Sequence, residues 1–306
     1  MAMSDPSDRS SGPVRSVHVP VLLREVLHTL DLKPGLTVVD GTVGAAGHSR
    51  EILRRMGPES TLIGLDRDPL MLQIAARHLS GPRVHLLQAS YAELPRILHE
   101  LQIAAVDRIL LDLGLSSDQL ADESRGFSFE SEGPLDLRFD VRQGESAADL
   151  LSRIGEAELA DIIHRFGEDP HSRQVARNIV AWRARQPIRT GRDLAQAVSG
   201  AGRRPPPRGA RHPATRVFQA LRIAVNHELQ QLETVLGGAL YDCLTPGGIV
   251  AVISFHSLED RLVKHAFRES TQWQLLSPKP VVPSPAEQRL NPRARSAKLR
   301  AARKIC

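Results

Sequence analysis

Hydrophobic residues follow two alternating spacings along the first hundred residues. Short apolar runs, typical of buried strands, alternate with segments in which apolar residues recur every three or four positions, as in amphipathic helices. The runs predict strands at 36–39, 61–65, 84–87 and 108–111. The helical spacing predicts helices at 21–30, 49–56, 69–79 and 92–101. Alternating strands and helices indicate an α/β fold, in which helices cover both faces of a parallel sheet.

The strand pattern stops after residue 116. Between 117 and 213 only helical spacing is visible, and it predicts helices at 156–166, 172–185 and 190–198. Residues 200–213 are rich in Pro, Gly and Arg, which is typical of a linker. Beyond them the pattern predicts a helix, a turn, a strand, a helix and two short strands, at 214–240, 245–248, 249–255, 258–267, 273–276 and 297–302. We therefore predict a helical insert at 117–213 within a core formed by 17–116 and 214–306.

The composition narrows the class of protein. Hydrophobic residues make up 41% of the 306 positions, which is enough for a sizeable core, and no apolar run approaches the roughly 20 residues of a membrane span. The two cysteines form neither a disulfide framework nor a zinc cluster, and we expect no metal site. Residues 1–16 are polar and lack an apolar segment, so we predict a disordered leader. We expect a soluble cytoplasmic protein that does not engage a membrane.

Basic residues are concentrated in two stretches of the chain. The net charge is +5 and the isoelectric point is near 9.7. Between 171 and 222 there are twelve arginines and one acid, Asp193, and a second basic stretch covers 289–304. A solvated charged face usually mixes both signs, whereas guanidinium groups suit phosphate because they bind it in a bidentate fork. The distribution predicts a nucleic-acid partner.

A glycine-rich turn follows the first predicted strand. Asp40 ends the strand, and Gly41, Gly44 and Gly47 follow at three-residue spacing. Glycines at a strand-to-helix turn let backbone N–H groups approach a ligand closely. A carboxylate before the glycines would repel a pyrophosphate but attract an amino group or a sulfonium. The turn therefore favours S-adenosylmethionine over NAD as the ligand.

Carboxylates end three of the predicted strands. Asp40, Asp66 and Asp112 stand at these positions, and ligands of open parallel sheets bind at the carboxyl ends of strands. We expect Asp66 to hydrogen-bond the ribose hydroxyls of an adenosine and Tyr91 to stack on the adenine. Asp112 ends the fourth strand, closest to where a reactive methyl group would lie.

Nine segments of the chain, in matching order, resemble the bacterial RsmH (MraW) family. The two long ones are HPATRVFQALR at 212–222 and SFHSLEDR at 254–261; the others lie at 18–23, 40–49, 65–69, 110–117, 125–129, 133–138 and 291–296. The resemblance implies a class I S-adenosylmethionine-dependent methyltransferase with a Rossmann-like core and an inserted helical domain. It implies methyl transfer to the exocyclic N4 amine of a cytidine in small-subunit (16S) ribosomal RNA, which tunes the decoding centre, with S-adenosylhomocysteine as product.

The same resemblance implies the residues that contact the cofactor. The matching positions are Ala46, Gly47, His48, Asp66, Tyr91, Asp112 and Gln119. The family often has Gly at the position of Ala46 and Phe at that of Tyr91. The alanine costs little unless this position requires a positive φ angle, and Tyr91 keeps the aromatic face.

The amine of cytosine is a poor nucleophile because its lone pair is delocalised into the ring. The enzyme must hold it close to the methyl group and accept one of its N–H hydrogens. Asp112 is the first candidate acceptor, and the backbone carbonyls of Leu113 and Ser254 are alternatives. Methylation at a ring carbon would need a cysteine near the fourth strand, and neither Cys243 nor Cys306 is placed there.

Three further residues are candidates for RNA contact. His212 and Arg216 flank the start of the predicted helix at 214–240, whose N-terminus favours phosphate. His256 follows the strand at 249–255. Each histidine has a structural alternative, as a cap of the helix that follows it.

Two other classes of protein remain open from the residues alone. A non-catalytic RNA-binding protein would explain the arginines but not the three carboxylates at strand ends. A nicotinamide-dependent dehydrogenase would explain the glycine turn but neither Asp40 nor the basic stretch. The sequence also leaves the oligomeric state open between a monomer and a homodimer.

Overall fold

A seven-stranded sheet forms the centre of the protein. The computed structural model describes residues 20–200 and 212–305. Its strands are β1 (Thr37–Asp40), β2 (Thr61–Asp66), β3 (Val84–Gln88), β4 (Val106–Asp112), β5 (Leu244–Ser254), β6 (Trp273–Leu275) and β7 (Lys298–Lys304). Their order across the sheet is β3-β2-β1-β4-β5-β7-β6. Strands β1 to β5 are parallel, and β7 is antiparallel to both of its neighbours. The predicted α/β class is confirmed.

Helices cover both faces of this sheet and form a separate group beside it. The helices of the described residues are α1 (Leu23–Thr29), α2 (Gly47–Met56), α3 (Pro69–Ala76), α4 (Leu94–Glu100), α5 (Ser117–Ala121), α6 (Ala147–Arg153), α7 (Glu156–Gly167), α8 (Ser172–Arg183), α9 (Gly191–Ser199), α10 (Ala214–Asn226), α11 (Glu228–Thr234), α12 (Leu240–Cys243), α13 (Ser257–Glu269) and α14 (Pro285–Leu290). None of them is long and apolar enough to cross a lipid bilayer.

Two buried apolar clusters sandwich the sheet. One packs α1, α2 and the strand residues Val38, Leu62 and Ile253, and the other packs α4, α12 and α13 on the opposite face. Their strand residues alternate along each strand because successive side chains point to opposite faces. A third cluster joins helices α6 to α10 away from the sheet. Helix α10, which follows the predicted boundary at 213, contributes to this third cluster.

The predicted helix over 214–240 is wrong in one respect, because it is not continuous. His227 adopts a left-handed conformation, with φ of 53°, between α10 and α11. A π-helical segment, Val235–Ala239, then precedes α12 and contains Gly238 at φ of 142°. The break turns α11 toward the carboxyl edge of the sheet, where Glu228 becomes part of the site described below.

The predicted turn at 245–248 is also placed differently by the structure, since it lies inside β5. The register between β4 and β5 jumps from Val106 opposite Leu244 to Arg108 opposite Ile249. The extra residues of β5 form a bulge, and Gly247 has the positive φ of 75° that such a bulge requires. The predicted leader at 1–16 and most of the predicted linker at 200–213 lie outside the described residues.

Candidate functional site

The carboxyl ends of the parallel strands border one cavity. Its lining comes from the glycine loop after β1, the residues after β2, β3 and β4, helix α11 and the segments that follow β5 and α14. The sequence-predicted residues among this lining are Gly47, His48, Asp66, Tyr91, Asp112 and Gln119. The sheet topology thus brings together six residues that are up to 72 positions apart in the chain, since parallel strands end at one edge.

The glycine loop approaches β4 closely. A Cβ atom on Gly41 would lie 2.5 Å from Cδ2 of Leu111 and 3.0 Å from Cβ of Tyr91, so a side chain there would require these neighbours to shift. Gly44 has φ of 50°, and its N–H donates to Oδ2 of Asp66 at 2.9 Å. Ala46 is buried and has φ of 69° at the start of α2. The condition under which an alanine is costly is therefore met at this position.

Asp40 does not face the cavity, and the expectation that it attracts a cationic ligand is wrong. Its side chain is 1% exposed; Oδ2 accepts the hydroxyl of Ser49 at 2.6 Å and Oδ1 accepts the N–H of Thr42 at 3.2 Å. Burial raises the pKa of Asp40, although these hydrogen bonds oppose the rise. Asp40 instead ties the glycine loop to α2. A residue at the end of a parallel strand must lie at this edge of the sheet, but its side chain can point toward the cavity or away from it.

Asp66 lines the cavity and is held by its own backbone surroundings. Oδ2 accepts the N–H of Gly44, and Oδ1 accepts the N–H of Asp68 at 2.9 Å. Burial raises the pKa of Asp66 to about 7, against the opposing effect of these two donors. Tyr91 lines the same cavity from the turn after β3, and burial raises the pKa of its phenol. A carboxylate and an aromatic ring in one cavity suit a ribose joined to an adenine.

Asp112 ends β4 with one carboxylate oxygen engaged. Its backbone N–H donates to Oγ1 of Thr42 at 2.6 Å, and Oδ2 lies 3.4 Å from Nδ1 of His48. The other oxygen, Oδ1, is buried and has no hydrogen-bond partner among the described residues. A buried, unpartnered acceptor is costly to leave unsatisfied, which suits the donor groups of a ligand.

Gln119 is fixed by a network at the base of α5. Its Oε1 accepts the N–H of Ser116 at 2.9 Å, and its Nε2 donates to Asp68 at 3.0 Å. Asp68 is fully buried and also pairs with Arg125 at 3.0 Å. This buried ion pair joins the turn after β2 to the loop after α5. Sequence reasoning missed it, although Arg125 begins one of the segments quoted above.

The structure does not bring His212 and Arg216 to this cavity. His212 stacks on Phe129 with ring centroids 4.7 Å apart, and its Nδ1 accepts the N–H of Ala214. Arg216 lies in the first turns of α10. Helix α10 packs against α7, and the carbonyl oxygen of Arg216 therefore lies close to Gly167. Both residues belong to the helical group, and their contact with RNA stays a prediction.

His256 occupies the capping position that was its structural alternative. Its Nδ1 accepts the N–H of Glu259, and its Nε2 lies 3.1 Å from Oε1 of that residue. Glu259 in turn accepts the N–H of Phe255 at 2.8 Å. Burial raises the pKa of Glu259, but the neighbouring His256 and Arg222 outweigh it and hold that pKa below its usual range. Of this group, Phe255 and Glu259 line the cavity.

Several lining residues were not predicted as site residues. They include Arg67, Phe139, Glu228, Gln231, Phe255, Glu259 and Arg293. Arg293 donates to the carbonyl of Ser116 at 3.1 Å and also bonds the hydroxyl of Ser117. A signal existed for Arg67, Phe255, Glu259 and Arg293, since these four lie in motif segments. Three aromatic side chains in one cavity, Tyr91, Phe139 and Phe255, stand out in a chain that is 4% aromatic.

The arginine-rich span carries less free charge than its composition suggests. Arg222 is partly buried and forms a bidentate pair with Glu228, at 2.8 and 2.9 Å. Arg177 pairs with Glu156 at 3.7 Å, and Arg192 pairs with Glu132. These acids lie outside the span, so the sequence count could not include them. Arg203, Arg204, Arg208 and Arg211 lie outside the described residues. In the described ranges, no group of three or more His, Cys, Asp or Glu is placed to hold a metal ion.

Comparison with known proteins finds close relatives over the whole described chain. The model of the MraW methylase family matches residues 15–305. A protein of Trichlorobacter lovleyi named ribosomal RNA small subunit methyltransferase H is 46% identical over 94% of this chain and 98% of its own length. A protein of the same name from Sorangium cellulosum is 47% identical over 100% of this chain and 95% of its own length.

Proposed function

This chain belongs to the MraW methylase family, and from that premise we propose that it methylates the exocyclic N4 amine of a cytidine in the 16S RNA of the small ribosomal subunit. The observation that carries the proposal is the cavity at the carboxyl edge, where Asp66, Tyr91 and the unpartnered oxygen of Asp112 lie together. Family membership excludes the dehydrogenase alternative, and a binding protein without activity would not need this arrangement.

The residues present fit S-adenosylmethionine, the methyl donor of the family. The loop at Gly44 leaves the space of a side chain open, so its backbone can lie against a ligand. Asp66 would hold the ribose hydroxyls, and Tyr91 would stack on the adenine. Gly47 and His48 would contact the part of the donor near the glycine loop. The carboxylate of Asp112, which lines the cavity, suits a cationic or N–H donor. Ala46 and Gln119 would act by shaping the loop and the base of α5. The bound donor would supply an electrophilic methyl group on a sulfonium.

The other lining residues would prepare the amine for attack. Asp112 would accept one N–H of the cytosine amine through its carboxylate, which directs the nitrogen lone pair away from the carboxylate and draws the proton off as the amine becomes cationic. Phe255, fixed by its backbone bond to Glu259, borders the same end of the cavity. A base extruded from the RNA loses its stacking, and an aromatic wall compensates for that loss.

The position of Cys243 supports attack by nitrogen rather than by a ring carbon. Cys243 is buried at the end of α12, immediately before β5, and therefore at the edge of the sheet opposite the cavity. Burial raises the pKa of this thiol to about 11, so it is a poor nucleophile at neutral pH. The second cysteine, Cys306, lies outside the described residues.

The surroundings of the reaction are also part of the proposal. The exposed arginines of the helical group would contact rRNA phosphates, with His212, Arg216 and His256 as further candidates for RNA contact. We place the protein in the cytoplasm, where small subunits are assembled. A homodimer is an alternative to the monomer, and light scattering of the purified protein distinguishes them.

Nucleoside mass spectrometry tests the proposed reaction. Purified protein is incubated with S-adenosylmethionine and small subunits from cells that lack the enzyme, and the 16S RNA is digested to nucleosides. We expect N4-methylcytidine to form. Formation of 5-methylcytidine, or of no methylated cytidine, contradicts the proposal. The Asp66→Ala variant serves as a control for contaminating methyltransferases.

A further inference from the structure

The side chain of His48 has a fixed orientation between the N-terminal segment and Asp112. His48 lies in the first turn of α2, and its side chain is 6% exposed. Its Nε2 lies 3.0 Å from the carbonyl oxygen of Val21, and its Nδ1 lies 3.4 Å from Oδ2 of Asp112. Both ring nitrogens therefore face hydrogen-bond acceptors.

A neutral imidazole cannot donate to both of these neighbours. One nitrogen of the neutral ring carries a hydrogen and the other carries a lone pair. In one tautomer the lone pair would face the carboxylate of Asp112, and in the other it would face the carbonyl of Val21. The imidazolium form donates in both directions.

We propose that His48 is an imidazolium that positions Asp112 for methyl transfer by holding Oδ2 of its carboxylate against the ring. Asp112 is held at two points. Thr42 accepts its backbone N–H and Oδ2 faces His48, whereas Oδ1 has no partner among the described residues. His48 acts through Asp112 and is a positioning residue. Its importance for transfer rests on the proposed function, whereas its charge state does not.

The charges around His48 favour its protonation. The titratable groups that face it are Asp112 from β4 and Asp40 from β1, and the N-terminal segment presents the carbonyl of Val21. Burial lowers the pKa of His48, but the hydrogen bond to Asp112 and the charges of the two aspartates outweigh it, so the net direction is upward.

Nitrogen NMR of the histidine rings tests the charge state directly. The full chain is labelled with 15N-histidine, and the His48 signals are assigned by their absence in His48→Asn. At pH 7.5 we expect both ring nitrogens of His48 to be protonated, and we expect the ring to become neutral at the same pH in Asp112→Asn. A neutral His48 in the wild-type protein at pH 7.5 overturns the proposal. This readout needs neither donor nor RNA, so it stands even if no methyl transfer is found.

The pH dependence of turnover tests the positioning role. His48→Gln retains an amide that can donate to Val21, and His48→Asn retains one that can donate to Asp112, but neither carries a charge. Both variants lose the charged partner of Oδ2, so we expect the acid limb of kcat to move upward by about one pH unit in each of them. An acid limb at its wild-type position in both variants overturns the positioning role. A purely structural histidine would change stability and leave this limb unmoved.

Discussion

The carboxyl edge of the sheet and the helical group beside it are stabilised in opposite ways. At the edge, Asp66 and Asp112 are held by backbone N–H groups, a hydroxyl and an imidazole, and one carboxylate oxygen remains unpartnered among the described residues. In the helical group, residues such as Leu159, Ile163 and Leu221 form an apolar cluster without exposure. Buried polar groups reduce stability unless they are satisfied, whereas apolar packing increases it. The edge is therefore arranged for a ligand and the helical group for rigidity.

Removing the carboxylate of Asp112 at the carboxyl edge should reduce methyl transfer more than any other change proposed below. We expect Asp112→Ala to lower methyl transfer by about 10³-fold, since the acceptor of the amine N–H is lost. Incorporation of labelled methyl groups into small-subunit rRNA measures this. Asp161→Ala, an exposed aspartate on α7, is the matched control and should retain full activity. Near-normal turnover in Asp112→Ala would refute the assigned role.

An apolar truncation in the helical group should act on stability instead. Ile163 is fully buried in α7, and we expect Ile163→Ala to lower the free energy of unfolding by about 3 kcal/mol. Urea denaturation measures this loss, and calorimetry should find the affinity for S-adenosylmethionine changed by less than about twofold. The neighbouring Ile162 is only partly buried, so Ile162→Ala should cost less. A donor affinity that falls as much as the stability would mean that the two regions are not independent.

Salt concentration should change the affinity for RNA, the ligand proposed for the helical group, much more than the affinity for the methyl donor at the carboxyl edge. If about four phosphates are contacted, affinity for small-subunit RNA should fall roughly 50-fold between 50 and 200 mM salt, because bound counterions are released. Donor affinity should change little. Replacing the exposed Arg189 with Ala should reduce the salt slope by about one phosphate contact, whereas Arg54→Ala on α2 should not. A flat salt dependence of RNA binding would count against arginine contacts.

The pH dependence of donor binding should show a smaller effect, which comes from Asp66. Its pKa of about 7 means that the carboxylate takes up a proton as the pH falls from 8 to 6. The protonated acid is a weaker acceptor for ribose hydroxyls, so donor affinity should fall about tenfold over this range. Calorimetry at several pH values measures it, with Asp66→Asn as the control for other groups. The same pH dependence in that variant would assign the titration elsewhere.

Most of the fold could be predicted because the hydrophobic spacing distinguishes strands from helices locally. The strands at 61–65 and 108–111 and the helix at 172–185 correspond to β2, β4 and α8 within a few residues. The break at His227 could not be predicted, since the apolar spacing continues through it and neither Gly nor Pro marks the left-handed residue. The bulge in β5 was interpreted as a turn for a related reason, because its Pro and Gly residues are equally typical of both.

The candidate site could be predicted only in part. Asp66 and Asp112 follow strands whose edge is fixed by topology, and both line the cavity. Asp40 has the same sequence signature, yet its side chain turns away to Ser49. Glu228 and Arg293 reach the cavity from elements distant in sequence, and spacing carries no information about such contacts. The pairing of His48 with Asp112 depends likewise on how α2 packs beside β4.

Calorimetric titration of the purified protein with S-adenosylmethionine tests the central claim most directly, namely that the carboxyl edge of the sheet binds the methyl donor. We predict one binding site per chain, with affinity reduced at least about tenfold in Asp66→Ala and unchanged in Asp161→Ala. Absence of binding to the wild-type protein, with or without rRNA, or binding that Asp66→Ala leaves intact, would contradict it.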